Sequence, residues 1–538
     1  MNQEGILEKI NKWIERIQLP IFLLTVLMAC GSPEKQHAGD HLSDSVAVLA
    51  GEQLSRKYCQ SCHLYPEPRS LDKYTWERSV LPLMGRLFGI YEESVPRSEV
   101  IKGALNPKLV TELQLFPEQQ TISDEEWKKI VAYYISQAPD SADFSQPNVF
   151  SSVPIDDFEV LRPYKGEDVL ATTLIKADLD QSLIYIGGSK GALGFLNIYD
   201  NHFDLIDEIK LPSPPTTINI GENHLAITLA GSLRLAASNN QFGELIYLFR
   251  NSGEEKYSSY RKFLSQLSRP VQAIFEDFKG KGFEDILVAE FGYYTGSLTL
   301  YEHSASNRDL FKRTVLANRP GAIRVEVADM NEDGHKDIVA LFAQGDEKIS
   351  IFYGDGEGGF REETVLRFEP TYGSVYFELV DLNKDGFLDI LYANGDNGDY
   401  PPVLKDYHGI RIFENDGENN FRQAYFFPMH GVVKASAADF DLDGALDIFA
   451  ISYFPDPHAG NRSDLVLLHN EGDNSFQPKI LQEEIPVRWI TFDIADLDGD
   501  GYQDVLLGSM GSFQSVSFPK QNKPDPRSSL ILLKSRQK

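Results

Sequence analysis

Two cysteines and a histidine stand together in the run Cys59-Gln60-Ser61-Cys62-His63. The C-x-x-C-H spacing is typical of covalent c-type haem attachment. Both thiols bond to the haem, and the imidazole of the next residue is placed to bind the iron. We therefore expect one covalent haem c, held by Cys59 and Cys62 with His63 as axial ligand.

Three alternatives to haem attachment remain open. A redox-active cysteine pair would follow a strand in a βαβ unit, whereas the preceding run 51–58 favours a helix. A zinc site needs further ligands, and the chain has only three cysteines, with no second pair. An incidental match is the third alternative, and export of the chain, argued below, counts against it.

Met84 is the candidate for the sixth iron ligand, by elimination. Between Leu64 and Pro139 the sequence holds no other histidine or cysteine, and Met84 is its one methionine. Packing in a core is the usual role of methionine. A His/Met pair would suit electron transfer, whereas a vacant sixth position would suit small-ligand binding.

A helix is expected to close this domain, which we assign to residues 46–142. Ser123 is a natural N-cap, Glu126 completes a capping box, and the following run 127–136 has one apolar face. The segments HLYPEP, VLPLM and ISDEEWKKIVAYYI resemble the single-haem cytochrome c domains that are fused to propeller repeats in exported bacterial proteins. The resemblance implies a small all-α domain.

The N-terminus has the pattern of a targeting segment. An apolar run, Leu19 to Ala29, is too short to span a bilayer but fits a secretory signal. Its end, Leu-Met-Ala-Cys30-Gly, resembles the lipobox of bacterial lipoproteins, so we assign residues 1–30 to a lipoprotein signal peptide. The resemblance implies that Cys30 becomes the lipidated N-terminus of the mature protein. A buried helix with an incidental cysteine is the alternative. We expect an exported protein, anchored by lipid alone to a bacterial membrane, periplasmic or on the cell surface, with 31–45 as a polar tether.

The remainder, assigned to residues 148–538, is built from repeats. Five segments share one pattern and begin 52, 52, 58 and 57 residues apart: DFKGKGFEDI from Asp277, DMNEDGHKDI from Asp329, DLNKDGFLDI from Asp381, DFDLDGALDI from Asp439 and DLDGDGYQDV from Asp496. Such a period indicates a propeller, solenoid or array. A weaker match begins at Asp178.

Four short strands in each unit favour propeller blades. We expect a mainly β fold, with seven blades starting near residues 165, 215, 268, 322, 374, 435 and 488; six or eight blades are the alternatives. The segment 148–162 is expected to close the ring by pairing with the final strand, Leu530 to Leu533.

The repeated loops have the chemistry of a cation site. Oxygen-bearing residues at positions one, three, five and nine, with a Gly at position six, suit Ca²⁺. About four Ca²⁺ sites are expected, with ligands Asp329, Asn331, Asp333, Asp337, Asp381, Asn383, Asp385, Asp389, Asp439, Asp441, Asp443, Asp447, Asp496, Asp498, Asp500 and Asp504. Asp-rich turns without metal are the alternative. The loop at Asp277 carries Lys279 and Lys281 where oxygens belong, so we expect no ion there, and the loop at Asp178 is doubtful.

The repeats resemble the FG-GAP or VCBS repeats of integrin-type propellers over essentially all of 165–538. This resemblance implies a calcium-stiffened, seven-bladed ring that serves as a binding platform, often for protein or glycan. It implies no particular reaction.

A ligand face is expected opposite the cation loops, where the connections between blade strands differ in length. Long loops on a rigid scaffold are typical functional surface, although they are equally consistent with variable solvent-exposed loops. The candidate residues are Asp396, Asn397, Asp399, Tyr400, Lys405, Tyr407, His408, His458 and Asn461.

Charge and composition limit the function. The formal net charge of −29 argues against nucleic acid as a partner. No nucleophile–base pair is evident, so no catalytic residue is assigned. Three functions stay open: electron transfer to a redox protein or quinone-linked chain with a propeller that docks a partner, adhesion or glycan binding, and substrate oxidation by the propeller with reduction of the haem.

Overall fold

The computed structural model describes residues 40–104, 106–140, 153–190, 193–231, 238–250, 256–304, 307–398, 403–456, 464–472, 475–481, 483, 485, 487–510 and 525–536. Cys30 and the expected signal segment lie outside these residues. Residues 47–538 form one compact unit, in which a helical segment precedes a ring of seven sheets. None of the helices in these ranges combines the length and apolarity needed to cross a membrane.

The helical segment begins with α1 (Asp40–Cys59) and ends with α6 (Asp124–Gln137). Between them lie a 3₁₀ turn (Pro68–Ser70), α2 (Lys73–Thr75), a π turn (Trp76–Val80), α3 (Leu81–Leu87), α4 (Arg97–Gly103) and α5 (Pro107–Glu112). The expected capping box at the start of α6 is confirmed, because Ser123 Oγ accepts the Glu126 N–H and Glu126 Oε2 accepts the Ser123 N–H.

Helices α1 and α6 cross in close contact. A Cβ atom added to Gly51 in α1 would collide with the Lys129 carbonyl oxygen and lie 2.6 Å from the Cβ of Tyr133 in α6. Glycine therefore lets the two backbones approach. Trp76, Ile130 and Tyr134 are fully buried beside this crossing and form the centre of the small core.

Seven blades follow, as the repeat count predicts. Blade one consists of Ala171–Asp178, Leu183–Lys190, Leu193–Asp200 and Leu205–Leu211, blade two of Pro215–Ile220, His224–Leu229, Gly243–Arg250 and Tyr257–Leu267, and blade three of Pro270–Glu276, Asp285–Glu290, Ser297–Ser304 and Asn307–Ala317. Blade four consists of Ala322–Ala328, Asp337–Phe342, Lys348–Gly354 and Phe360–Arg367, and blade five of Ser374–Val380, Asp389–Asn394, Gly409–Asn415 and Phe421–Pro428.

The last two blades recruit strands from the start of the ring. Blade six has Val432–Ala438, Asp447–Ser452, Leu465–Asn470 and Phe476–Ile480, with Val153–Pro154 added in parallel outside the last strand. Blade seven has Trp489–Ala495, Asp504–Ser509 and Leu530–Ser535, which follows a 3₁₀ turn (Pro526–Ser529), and Phe158–Leu161 supplies its outer strand. The expected pairing that closes the ring is thus confirmed; the pairing of Val153–Pro154 with blade six was not predicted.

Burial explains why the strands occupy these positions. From blade three to blade seven, the second strand of each blade is buried at all six residues, as expected for a strand covered on both faces. Outer strands are more exposed: Phe360–Arg367 has five exposed residues, which leave it half in solvent.

A ring of side-chain-to-backbone hydrogen bonds joins the first strands of neighbouring blades. In each case a side chain of one blade contacts the main chain of the next. The seven pairs are Thr173 Oγ1 with Pro215 O, Asn219 Nδ2 with Ala273 O, Gln272 Nε2 with Val325 O, Glu326 Oε2 with Leu379 N, Glu378 Oε1 with Ala437 N, Lys434 Nζ with Phe492 O, and Asp493 Oδ2 with Ala177 N. These bonds reinforce the packing between blades.

Candidate haem and cation sites

Cys59, Cys62 and His63 lie where α1 ends. Cys59 is the last residue of the helix, and the next residues form a turn in which Ser61 N–H donates to Tyr58 O. Both cysteines are free; Cys62 is exposed, and Cys59 is half-buried against the helical core. Burial raises the pKa of the Cys59 thiol to about 11. A thiol in this state lacks the activated thiolate of a redox-active cysteine pair.

The imidazole of His63 is oriented by a main-chain oxygen. Its Nδ1 lies 2.8 Å from the carbonyl oxygen of Leu64. When Nδ1–H donates this bond, Nε2 carries the lone pair that a metal requires. The two thiols and this imidazole nitrogen form a donor set that fits a c-type haem.

Met84 borders the same core as Cys59. It lies in α3, half-buried, and both residues pack against the helical core cluster. The following residue, Gly85, places α3 against α6, because a Cβ there would lie 3.1 Å from the Trp127 ring. The structure thus brings Met84 and Cys59 to one cluster.

The five repeated loops share one backbone geometry. In the loop at Asp329, Oδ1 accepts the Asp333 N–H and Oδ2 accepts the Gly334 N–H. The fourth and sixth positions are left-handed in all five loops, with φ values from +57° to +95°. Glycine occupies every sixth position, as the sequence interpretation required, whereas Glu332, Lys384 and Leu442 are strained at the fourth.

The ninth-position carboxylates are structural groups, which the sequence interpretation did not foresee. Their Oδ1 atoms accept an N–H from the third strand of the same blade: Asp285 from His303, Asp337 from Gly354, Asp389 from Asn415, Asp447 from Asn470 and Asp504 from Ser535, at 2.6–2.9 Å. In the four predicted cation loops, Oδ2 accepts the N–H of the second loop residue as well. Each oxygen keeps a second lone pair that a cation could use.

Two loops gather three carboxylates. Oxygens of Asp439, Asp441 and Asp443 lie within 4.8 Å of one another, as do those of Asp496, Asp498 and Asp500. Asp439 Oδ1 is buried and has no hydrogen-bond partner. An unpaired buried carboxylate oxygen is costly unless a cation meets it, so this donor set fits a hard cation.

The loop at Asp277 contains a positively charged side chain at its third position. Lys279 Nζ lies 3.1 Å from Glu302 Oε1 and 3.7 Å from Asp285 Oδ2, and the lysine side chain is only 14% exposed. Asp285 Oδ2 has no hydrogen bond. The ammonium therefore neutralises the ninth carboxylate of this loop. In the doubtful loop, Asp178 Oδ1 accepts the Gln181 N–H.

The expected ligand-face residues have mixed environments. Asn397, Lys405 and His408 are buried, at 6%, 3% and 1% exposure, which is unlike accessible ligand contacts. Asp396 Oδ1 accepts the Gly398 N–H. Asp399, Tyr400, His458 and Asn461 lie outside the described residues. The ligand face stays a prediction.

The helical segment docks on this same face of the propeller. Glu369 Oε2 accepts hydrogen bonds from Ser70 Oγ at 2.6 Å and from Glu67 N at 3.3 Å. Tyr407 donates from its hydroxyl to Ser70 O at 3.0 Å. Glu369 was not among the predicted site residues, because nothing in its local sequence marks it. Tyr407 was predicted to contact a ligand; here it contacts the helical segment.

The fold and these loops define a class of protein, a seven-bladed β-propeller that contains an FG-GAP-like repeat. Residues 329–392 match the family model described as FG-GAP-like repeat. No curated protein matches the chain.

Three similar solved structures have low sequence identity to this chain. The N-terminal domain of Nup159 is 10% identical, with 72% of this chain and 97% of that chain covered and a TM-score of 0.42. Saccharomyces cerevisiae Sqt1 is 10% identical, with coverage of 69% and 97% and a TM-score of 0.40. A putative 6-phosphogluconolactonase from Bacteroides uniformis is 13% identical, with coverage of 57% and 84% and a TM-score of 0.36.

Proposed function

We propose that this protein is an exported, lipid-anchored c-type haem protein that transfers single electrons, and that its propeller docks a protein or glycan partner. The observation that carries the proposal is the C-x-x-C-H turn at the end of α1, with two free cysteines and a histidine whose Nδ1 is held by a carbonyl. The haem would supply the redox chemistry. Cys59 and Cys62 would attach it, and His63 and Met84 would bind its iron.

The protein's own residues have three tasks in this function. The Gly51 crossing fixes α1 on α6, so that Cys59 and Cys62 lie at a defined end of the helix. The Leu64 carbonyl orients His63. The Glu369 contacts hold the helical segment on the propeller, so a partner that docks on the propeller would meet the haem domain in a fixed orientation.

Calcium has a separate role in the proposal. The four loops at Asp329, Asp381, Asp439 and Asp496 each join the first and second strands of a blade. Ca²⁺ there would neutralise grouped carboxylates and stiffen the turn. The unpaired Asp439 Oδ1 supports this assignment. The Asp277 loop, with Lys279 in place, would take no ion.

The proposal of a lipid anchor rests on the sequence alone. The lipobox-like end at Cys30 supports export and lipidation, which agrees with covalent haem attachment outside the cytoplasm. The redox partner would be a protein or a quinone-linked chain.

The haem proposal is tested by producing the full chain with the cytochrome maturation machinery. We expect Soret absorption that stays with the polypeptide after denaturation, and its loss in Cys59→Ala combined with Cys62→Ala. Met84→Ala should retain covalent haem but show a lower reduction potential and new binding of carbon monoxide, because the sixth position opens. A chain without Soret absorption would overturn the proposal.

A further inference from the structure

In blades three to seven, one residue of the third strand stands next to the residue whose N–H reaches the ninth carboxylate of the loop. We call it the flanking residue: it immediately precedes the third-strand residue whose N–H reaches the ninth carboxylate. The flanking residues of blades three to seven are Glu302, Tyr353, Glu414, His469 and Lys534.

The flanking residue contacts position three of the loop in three blades. Lys279 and Glu302 are 3.1 Å apart, His469 Nδ1 and Asp441 Oδ2 are 3.7 Å apart, and Lys534 Nζ and Asp498 Oδ2 are 2.6 Å apart. The fixed register of the strands explains the recurrence, because the neighbouring N–H donates to the ninth carboxylate in each of these three blades.

Blade seven reverses the charges of blade three. In blade three the loop supplies the lysine and the strand supplies the carboxylate; in blade seven the strand supplies Lys534 and the loop supplies Asp498. Asp498 Oδ1 accepts the Asp500 N–H, and Lys534 engages Oδ2, the oxygen left for a cation. Blades four and five carry Tyr353 and Glu414 at the flanking position, and neither side chain can be a cation.

We propose that Lys534 is a built-in competitor of the cation in the Asp496 loop, so that this loop binds Ca²⁺ more weakly than the loops at Asp329 and Asp381. The inference rests on the proposed function, in which the loops bind Ca²⁺. Lys534 is 38% exposed, so its ammonium can turn into solvent when an ion enters. Lys534 itself lies on Leu530–Ser535, the strand that pairs with Phe158–Leu161 to close the ring.

The test measures the calcium affinity of the Asp496 loop alone. Tyr502 is the seventh residue of this loop, and it is the only tyrosine at that position among the five. In the full chain, terbium luminescence that is excited through tyrosine and lost in Tyr502→Phe reports this loop, and competition with calcium then gives its affinity. Equilibrium dialysis against calcium counts all ions bound.

Two substitutions, each in a different blade, should change the calcium affinity of the adjacent loop in opposite directions. Lys534→Glu, which gives blade seven the flanking residue of blade five, should tighten calcium binding by the Asp496 loop by about tenfold or more. Glu414→Lys should weaken the Asp381 loop and remove a tightly bound ion from the dialysis count. Lys102→Met is the matched control, because it removes an exposed ion pair, with Glu99 at 3.5 Å, that lies in α4 of the helical segment. It should change neither measurement.

The outcomes separate the two proposals. If the unaltered chain takes up no calcium, the cation loops themselves fail. If it takes up calcium but Lys534→Glu matches Lys102→Met, the cation loops survive and the competitor role of Lys534 is overturned. Lys534→Met is a second variant with an unchanged side-chain length, and it should show an intermediate gain.

Discussion

Oε2 of Glu369 lies 2.6 Å from Oγ of Ser70, although the two residues are 299 positions apart in the chain. The same carboxylate oxygen accepts the Glu67 N–H, and Tyr407 donates to the Ser70 carbonyl beside it. One carboxylate and one tyrosine of the propeller thus hold the turn that follows the C-x-x-C-H segment. This contact sets the orientation of the candidate haem domain.

Removing the Glu369 carboxylate should loosen that turn. Glu369→Ala deletes two hydrogen bonds, each worth about 1 kcal/mol. We expect faster amide hydrogen exchange over residues 67–75, measured by mass spectrometry, with little change in the blades. Glu363→Ala is the control, since Glu363 is exposed and pairs only locally with Arg361. Equal exchange in the two variants would contradict the docking role.

Gly51 should tolerate no side chain. Gly51→Ala places a methyl group against the Lys129 carbonyl and the Tyr133 Cβ, so the helices must separate, at a cost of about 1–3 kcal/mol. Thermal unfolding of the helical segment should occur at a lower temperature. Gly103→Ala, at the end of α4, meets no atom within 4 Å and should be neutral or slightly stabilising. The idea fails if both variants melt alike.

Replacing Leu442 by glycine should stabilise the folded protein. Its φ is +61° and its side chain is 51% exposed, so strain is relieved with little loss of packing. Leu442→Gly should raise the free energy of unfolding by about 0.5–1 kcal/mol, whereas Gly444→Ala, at φ +90°, should lower it by about 1 kcal/mol.

Urea titrations with chelator present would show these effects without any contribution from bound ions. Leu179→Gly is the control, as Leu179 is equally exposed but has no positive φ. It should not stabilise the chain; a gain equal to that of Leu442→Gly would contradict the strain argument.

Ionisation of the buried Glu347 should make the propeller less stable as pH rises. Burial raises the pKa of Glu347 to about 7, above the roughly 4.3 of an unfolded glutamate. The folded state then holds this proton more tightly, so its contribution to stability is complete below about pH 4.3 and is lost up to about pH 7.

Urea midpoints between about pH 4.5 and 7.5 would measure this loss. The expected fall in the free energy of unfolding is about 2–3 kcal/mol from this group. Glu347→Gln should flatten the dependence, although it also weakens the bonds from Ser374 N and Gly373 N. An unchanged slope in this variant would exclude Glu347 as the cause.

Local patterns in the sequence determined the propeller and its loops. The repeated Asp, Gly and apolar residues predicted seven blades, the cation loops and the closing strand, because each blade is made from neighbouring strands and tight turns whose residue requirements are local. The capping box of α6 was predicted for the same reason. The haem motif was equally visible, since its chemistry needs only a five-residue run.

Contacts between distant segments were decided only by the tertiary structure. Lys405 and His408 stand in a polar loop and suggested a ligand surface, yet both are buried. Glu369 has no local signal, and the meeting of Lys534 with Asp498 depends on strand register. Burial and pairing of such groups depend on which surfaces meet when the chain folds, and residue type and spacing do not specify that meeting.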